Sequence, residues 1–292
     1  MLHVCVCVKQ TPESASVYID PITEQVDVER FVEVLNPADA CAVEAAVRLK
    51  EQAGGTIKVL TIGPKDAEGA LRAVLAIGAD SALRLWNSQA AAWGPFTVAA
   101  ALAAYLQHEP LTPDLILCGD ASSDWSSGIV GPALAEQLAL PQLTGVAQLE
   151  LLKEQNPLTI RVTRKLERGY RELLEAELPL LITVTSELNE PRYPSLPAHL
   201  AALKAHIPVL DPQAFMGDTW LDGMDEMALL EIHTPRPRPR RIAAPDSGHN
   251  AYQRIGEIIA GGAAGRQTRL IEGSPEELAK ALAEFLQAKG FV

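Results

Sequence analysis

Short continuous apolar runs alternate with stretches of helical period over the first half of the chain, a rhythm that predicts a parallel β-sheet covered by helices on both faces. Residues 2–8 form the first such run, ending at Lys9-Gln10-Thr11-Pro12, where Pro12 is expected to stop the ladder. Residues 18–28 look like a hairpin-like excursion. After Leu35-Asn36-Pro37-Ala38-Asp39 a helix is predicted to about residue 52, with Ala42, Val43, Ala46, Val47 and Leu49 as its apolar face. Residues 56–62 read as a second strand with Gly63-Pro64 as its turn, followed by a helix over 66–77 and a short apolar segment over 81–86. A helix over 96–107 leads to residues 114–118, whose unbroken Leu115-Ile116-Leu117-Cys118 is what a strand covered on both faces requires. A further helix opens near residues 129–132 and runs to about 138, with Pro132 suited to a first turn because its missing N–H would have had no partner there.

From Gln142 the pattern changes. Residues 148–152, 159–166 and 170–178 are short alternating runs and predict an antiparallel ribbon. Residues 180–185 read as one more buried strand. The segment NEPRYPSLP over 189–197 holds three prolines, which makes it a stiff, exposed loop, and a short amphipathic helix follows it to about residue 203. Residues 211–273, rich in Pro, Gly and Met, read as an extended arm. The last helix, 275–287, begins at Ser274 with Glu277 completing a capping box. The expected organisation is an α/β domain over 1–210 and an arm with a terminal helix over 211–292 that needs another surface to lie on.

Right-handed crossovers place every loop that follows a parallel strand on one edge of the sheet. Lys9, Asn36, Ile62-Gly63 and the stretch 120–131 therefore gather there, and a ligand is expected at that edge. The loop after the strand at 114–118 is built mostly of Gly, Ala, Ser and Asp, which tolerate turns and let a ligand approach the backbone. It feeds directly into a helix N-terminus, whose free N–H groups attract anions. A Ser-rich surface connection without a ligand is the plainer reading of the same residues. Lys9 can meet a phosphate, meet a carboxylate or stand in solvent; Asn36 can cap its helix or hydrogen-bond an adenine or ribose. No G-x-G-x-x-G follows the first strand and no G-x-x-x-x-G-K-[ST] is present, which excludes the ordinary dinucleotide fingerprint and the P-loop.

A net charge of -12 disfavours nucleic acid, and a hydrophobic content of 48% is ample for a core. The one basic stretch, PRPRPRR over 235–241, reads as an extended, solvated linker because alternating Pro denies it regular hydrogen bonding. No apolar run reaches spanning length and the chain opens directly on a strand, so no membrane insertion and a cytoplasmic location are expected, or a matrix space had a leader been removed. Cys5, Cys7, Cys41 and Cys118 show no paired metal spacing and read as buried thiols, and no metal is expected.

The residues that narrow this further are Val4-Cys5-Val6-Cys7-Val8-Lys9-Gln10, Asn36-Pro37 with the run from Ala42 to Lys50, Gly63-Pro64 before Leu75-Ala76-Ile77-Gly78-Ala79-Asp80, and above all LPLLITVTSELNEPRYPSLPAHLAALK over 178–204. Together they resemble the small, or beta, subunit of an electron-transfer flavoprotein over nearly the whole length. The resemblance implies an α/β fold of the adenine-nucleotide-hydrolase-like kind, a parallel sheet with helices on both faces plus the ribbon and the C-terminal arm. It implies an electron-carrier subunit rather than an enzyme. This subunit would bind AMP and pair with a large (alpha) subunit that holds most of the redox FAD, and its arm would pack on that subunit. Acyl-CoA or other dehydrogenases would be donors, and a membrane quinone oxidoreductase an acceptor. In the electron-bifurcating class the AMP pocket holds a second FAD instead. The family's pocket positions fall on Cys7, Asn36, Ile62 and the loop with Asp120, Ala121, Asp124, Ser126, Ser127, Gly128, Ile129 and Val130; Lys9 and Gly131 join them by position.

The loop departs from both classes. Val130-Gly131-Pro132 and the long arm resemble the bifurcating class, whereas Ile129 stands where that class has Gln, and Gly94-Pro95 opens a helix as in AMP-binding members. Partner docking is implied for Arg192, Tyr193 and Leu196, with Leu196 at the position that inserts into a dehydrogenase. An enzyme of the adenine-nucleotide-hydrolase or ligase type is the competing reading. It would require a Gly-rich pyrophosphate loop after the first strand, which Lys9-Gln10-Thr11-Pro12 is not.

Overall fold

In the computed structural model, residues 1–20, 26–27, 30–153, 157–216, 248–259 and 273–288 are described. Among the described residues, strand β1 (Leu2–Cys7) lies in the interior of a nine-stranded sheet because its alternation suits two apolar layers at once. Val4 and Val6 face one layer, Cys5 and Cys7 the other. The first layer is closed by α1 (Pro37–Ala53) and α2 (Glu68–Ile77), the second by α3 (Pro95–His108) and α4 (Val130–Gln137). α1 approaches closely because the residues it buries include Ala42, Ala45 and Ala46, and α3 is apolar nearly all round, as a helix covered on most sides must be.

β1 pairs in parallel with β4 (Gly55–Ile62) and with β6 (Leu115–Gly119). Beyond β4 lie β5 (Ser81–Leu85) and the short β11 (Val209–Leu210), and beyond β6 lie β10 (Leu180–Val184) and β7 (Gln142–Leu152), all parallel. β8 (Thr159–Lys165) and β9 (Arg171–Glu177) complete the sheet in antiparallel sense. The expected ribbon is thus continuous with the sheet and not a separate ornament. β7 begins at Gln142, ahead of the alternating run: its first half is buried beside β10, and its second half turns amphipathic where only β8 accompanies it.

β1 leaves the main sheet before Pro12, and β2 (Gln10–Pro12) pairs antiparallel with β3 (Glu33–Leu35) in a small sheet of its own. Between them an antiparallel bridge joins Ile19 to Val26, as the excursion predicts. After β10 come α5 (Leu196–Lys204) and α6 (Gln213–Met216). The chain divides into two compact units, residues 1–232 and 233–292. Among the described residues of the stretch expected as an arm, two segments are helical. α6 is held by Phe215, whose ring meets Tyr105 edge-on and lies against His108 on α3. α7 (Ala251–Ile259) has Tyr252 and Ile255 at helical spacing, a period hidden in the sequence by the neighbouring Gly residues. α8 (Pro275–Ala288) starts with the anticipated box: Ser274 N–H donates to Glu277 Oε2 (2.9 Å) and Glu277 N–H to Ser274 Oγ (3.4 Å). The basic stretch 235–241 lies outside the described residues. No described helix is long and apolar enough to cross a membrane.

Candidate functional site

The strand-end edge is organised by a residue the sequence reading passed over. Asp39, in the first turn of α1, is buried, and its carboxylate accepts the backbone N–H of Lys9 (2.8 Å) and of Gly119 (2.7 Å). It therefore ties the ends of β1 and β6 to one helix start. Burial pushes its pKa up to about 7, against the opposing pull of those two hydrogen bonds. A side chain at Gly119 would collide with the Asp39 carboxylate and with Ala38 Cβ (2.8 Å), so the close seat exists only with glycine there. The signal that could have found Asp39 is an acid just after Asn36-Pro37, on the helix start expected at this edge.

Asn36 is 2% exposed and does not cap α1. Its Nδ2 donates to Ala121 O and its Oδ1 accepts from Ser123 N–H, both at 3.1 Å. Ser123 Oγ in turn donates to buried Thr11 Oγ1 (2.9 Å). The loop after β6 is thus pinned through its backbone to Asn36, just before α1, and through a pair of hydroxyls to β2. Lys9 meets a carboxylate, with Nζ on Asp124 Oδ2 at 2.5 Å. Burial works to raise the Asp124 pKa, but the bonds from Lys9, Ser122 and the Trp125 N–H outweigh it and hold it below the usual range. Burial raises the Asp120 pKa, with the Ala121 N–H donating to its carboxylate (2.8 Å).

The loop folds back on itself. Both the N–H and the hydroxyl of Ser126 donate to Ser122 O, and Ser126 takes a positive φ of 51°. Gly128 has φ 63°, and a Cβ there would stand 3.1 Å from Asp120 O. Trp125, 72% exposed, and exposed Ser127 stand at the tip. Ile129 then leads into α4 without a side-chain cap, which leaves the N–H groups of Val130 and Gly131 without an intrahelical partner. Gly131 sets α4 down on the sheet: a Cβ there would fall 2.5 Å from Thr183 Cγ2 and 2.9 Å from Cys118 Sγ. Beneath lie Cys7 and Cys118, paired in register and both buried; contact with Cys5 and burial raise the Cys7 pKa, and burial alone leads for Cys118. Val130 opens α4, and half-buried Ile62 ends the neighbouring β4. Hydrogen bonds link Asn36 to Lys9 and Ala121, and Lys9 to Asp124, whereas Cys7 and Gly131 lie in the packing around Cys118.

On the first-layer side, the segment after β10 is laid along α1. Glu44, 1% exposed, accepts Arg192 Nε (2.8 Å), Arg48 Nε (2.6 Å) and the Arg192 backbone N–H (3.2 Å). Arg192 also grips Glu51. Arg192 therefore faces its own subunit, while Tyr193 is 98% and Leu196 69% exposed. Leu196 does not pack on Leu200 in a core, since Leu200 is itself exposed. Two recesses, of about 290 Å³ between α3, α4 and α6 and about 190 Å³ between α1 and β7, lie away from the strand-end edge and are small for a nucleotide. Among the described residues no group of His, Cys, Asp or Glu is arranged to hold a metal ion.

Residues 26–214 match the family described as the electron transfer flavoprotein domain. The chain is 38% identical over 195 residues to the electron transfer flavoprotein subunit beta of Thermoanaerobacterium thermosaccharolyticum, covering 67% of this chain and 72% of that protein. It is 35% identical over 268 residues to the subunit beta of Megasphaera elsdenii, covering 88% and 97%. It is 32% identical over 265 residues to the protein FixA of Azotobacter vinelandii, covering 88% and 92%. The chain belongs to the electron transfer flavoprotein family, as a small subunit of the beta type.

Proposed function

We propose that this subunit holds AMP at the loop 120–128 and pairs with a larger alpha-type subunit to complete the seat of a redox FAD. The complex would carry electrons from acyl-CoA or other dehydrogenases to a membrane quinone oxidoreductase or another acceptor. The observation that carries the reading is the loop itself: two positive-φ residues, a clamp by Asn36, and an uncapped helix start set down on the sheet by Gly131. These residues fit a phosphate through backbone N–H groups and Ser127, or Ser126 once its hydroxyl turns away from Ser122 O. They offer little cationic charge, since Lys9 is already paired with Asp124 and Asp120 belongs to the same loop. That balance suits one phosphate better than a pyrophosphate. Asn36 and the thiol floor would orient the nucleoside, and the bound FAD supplies the electron-accepting and electron-donating chemistry. The arm, with Leu278, Leu282 and Phe285 exposed along one stripe of α8, packs on the large subunit in this reading. Leu196 anchors the dehydrogenase.

A second FAD in the same seat is the alternative, favoured by Val130-Gly131-Pro132, where the chain keeps the run that resembles the bifurcating class. The test is to purify the complex with its large subunit, denature it and weigh the released nucleotides. One FAD and one AMP per heterodimer is the expected result. Two FAD would establish the alternative, and FAD without any second nucleotide would overturn the assignment of the loop.

A further inference from the structure

The segment that carries Leu196 has almost no apolar hold on the subunit. Of α5 only Ala202 is buried, while Leu196, Leu200 and Leu203, at i, i+4 and i+7, form a stripe turned outward with Tyr193 beside it. An element with so little burial is of the kind that opens locally at low cost. Here guanidinium groups hold it at both ends.

At the entrance, Arg192 spans Glu44 and Glu51, which lie two turns apart on α1 and so on one face. Glu44 is buried and has to be paired; Arg48 and Arg192 share it, and Arg48 also donates to Glu190 O (3.2 Å). Asn189 Nδ2 donates to Cys41 O (3.0 Å), which fixes the turn before it. At the exit, a single nitrogen of Arg72 on α2 donates to Ala202 O and Leu203 O (both 2.8 Å) and to Ala205 O (3.1 Å). Leu203 O is a last-turn carbonyl that a helix leaves unpaired, Ala202 O takes the Ala205 N–H (3.2 Å) as well, and Ala205 is the residue after the helix, so the cation sits at the end of the dipole that suits it. Glu68 stands 3.5 Å from Arg72 and steadies it.

We propose that Arg192 with Glu44, and Arg72, are positioning residues for electron transfer: they hold the stripe of Tyr193, Leu196, Leu200 and Leu203 in its docking geometry before a dehydrogenase arrives. The inference rests on the docking role of Leu196 given above. Its physical content is preorganisation. Ordering that would otherwise be lost on binding is already done in the free subunit, so the effect falls on KM and not on the limiting rate of transfer.

The experiment uses the full chain in complex with its large subunit, with flavin reduction by an acyl-CoA dehydrogenase and its substrate followed against concentration. Arg192→Gln and Arg72→Gln should each raise KM about tenfold and move the limiting rate less than about twofold. Hydrogen exchange over 189–205 should quicken in both while β1 and β6 stay protected. Arg192→Lys should recover less than half of the loss, since an ammonium cannot bridge two carboxylates as a guanidinium fork does. With Leu196→Ala already present, Arg192→Gln should add less than about twofold, because the clamp acts through the stripe. Fully multiplicative effects, or faster exchange with KM unchanged, would overturn the inference while leaving the docking role intact. An unchanged KM in Leu196→Ala alone would overturn the docking role and the inference with it. Glu44→Gln leaves a buried group half paired and endangers the fold, so the two arginines carry the test.

Discussion

Gly131→Ala is the sharpest test of how the loop and α4 are seated. The added Cβ would lie 2.5 Å from Thr183 Cγ2 and 2.9 Å from Cys118 Sγ. Carbon atoms in contact prefer separations of roughly 3.5–4.0 Å, so α4 must rise by about 1 Å or two buried side chains must leave their rotamers. Neither neighbour is free to yield: Thr183 Oγ1 accepts the Gly145 N–H (3.1 Å), and Cys118 is buried in the second apolar layer. Overpacking of this kind costs about 1–3 kcal/mol, which for a unit of this size lowers Tm by roughly 2–12 °C. Thr183→Ser removes the methyl that the new Cβ would strike and keeps the hydroxyl that Gly145 needs. Combined with Gly131→Ala it should return about half of the loss, because the contact with Cys118 remains. The assay is thermal unfolding of the complex by circular dichroism, with released nucleotide quantified from the same samples. Nucleotide content should fall with Tm in the single variant and recover in the double. Gly131→Ala with Tm and nucleotide content both at the parent level would refute the close seating of α4, and with it the backbone route to a phosphate.

Gly128→Val places a β-branched residue at φ 63° beside Asp120 O, so nucleotide should be lost while β1 and β6 keep their exchange protection; full nucleotide occupancy would mean the pocket lies elsewhere. Asp39 makes stability depend on pH. Its folded pKa of about 7 exceeds its ordinary 3.8, so the folded state keeps a proton that the unfolded chain has released, and stability falls as pH rises from about 4 to about 7. The span is on the order of 4 kcal/mol before other groups contribute, and Asp39→Asn should flatten that part of the profile in denaturant titrations at pH 5 and 8; an unchanged slope would show that Asp39 ionises freely. Leu196→Ala should slow reduction by a dehydrogenase by raising KM about tenfold, with Tm and flavin content at parent values, since the side chain is 69% exposed. A drop in Tm with KM unchanged would make Leu196 a packing residue.

What could be read from the chain was whatever repeats locally. β1, β4, β6 and β10 each show as an apolar run, and the placement of Lys9, Asn36 and the loop on one edge follows from handedness alone. β7 was cut short because one strand answers to two environments, buried beside β10 at its start and half-solvated beside β8 afterwards, and neither pattern is long enough to show itself. Asp39 was missed for a different reason. A buried acid at a helix start looks like any first-turn acid until two strand ends, one of them 80 residues on, turn their N–H groups toward it. Arg192 makes the same point at the docking segment. In NEPRYPSLP the arginine reads as a charge offered to a partner, and nothing within the motif says otherwise. Its carboxylates are Glu44 and Glu51, 148 and 141 residues earlier, on a helix whose buried residues are mostly alanine and valine. A carboxylate so buried is tolerable only if a cation returns to it from elsewhere in the chain. Glu44 in the middle of an apolar helical face was therefore the legible half of the clamp, and Arg192, the cation that answers it, could be identified only once β10 had brought the loop back across α1.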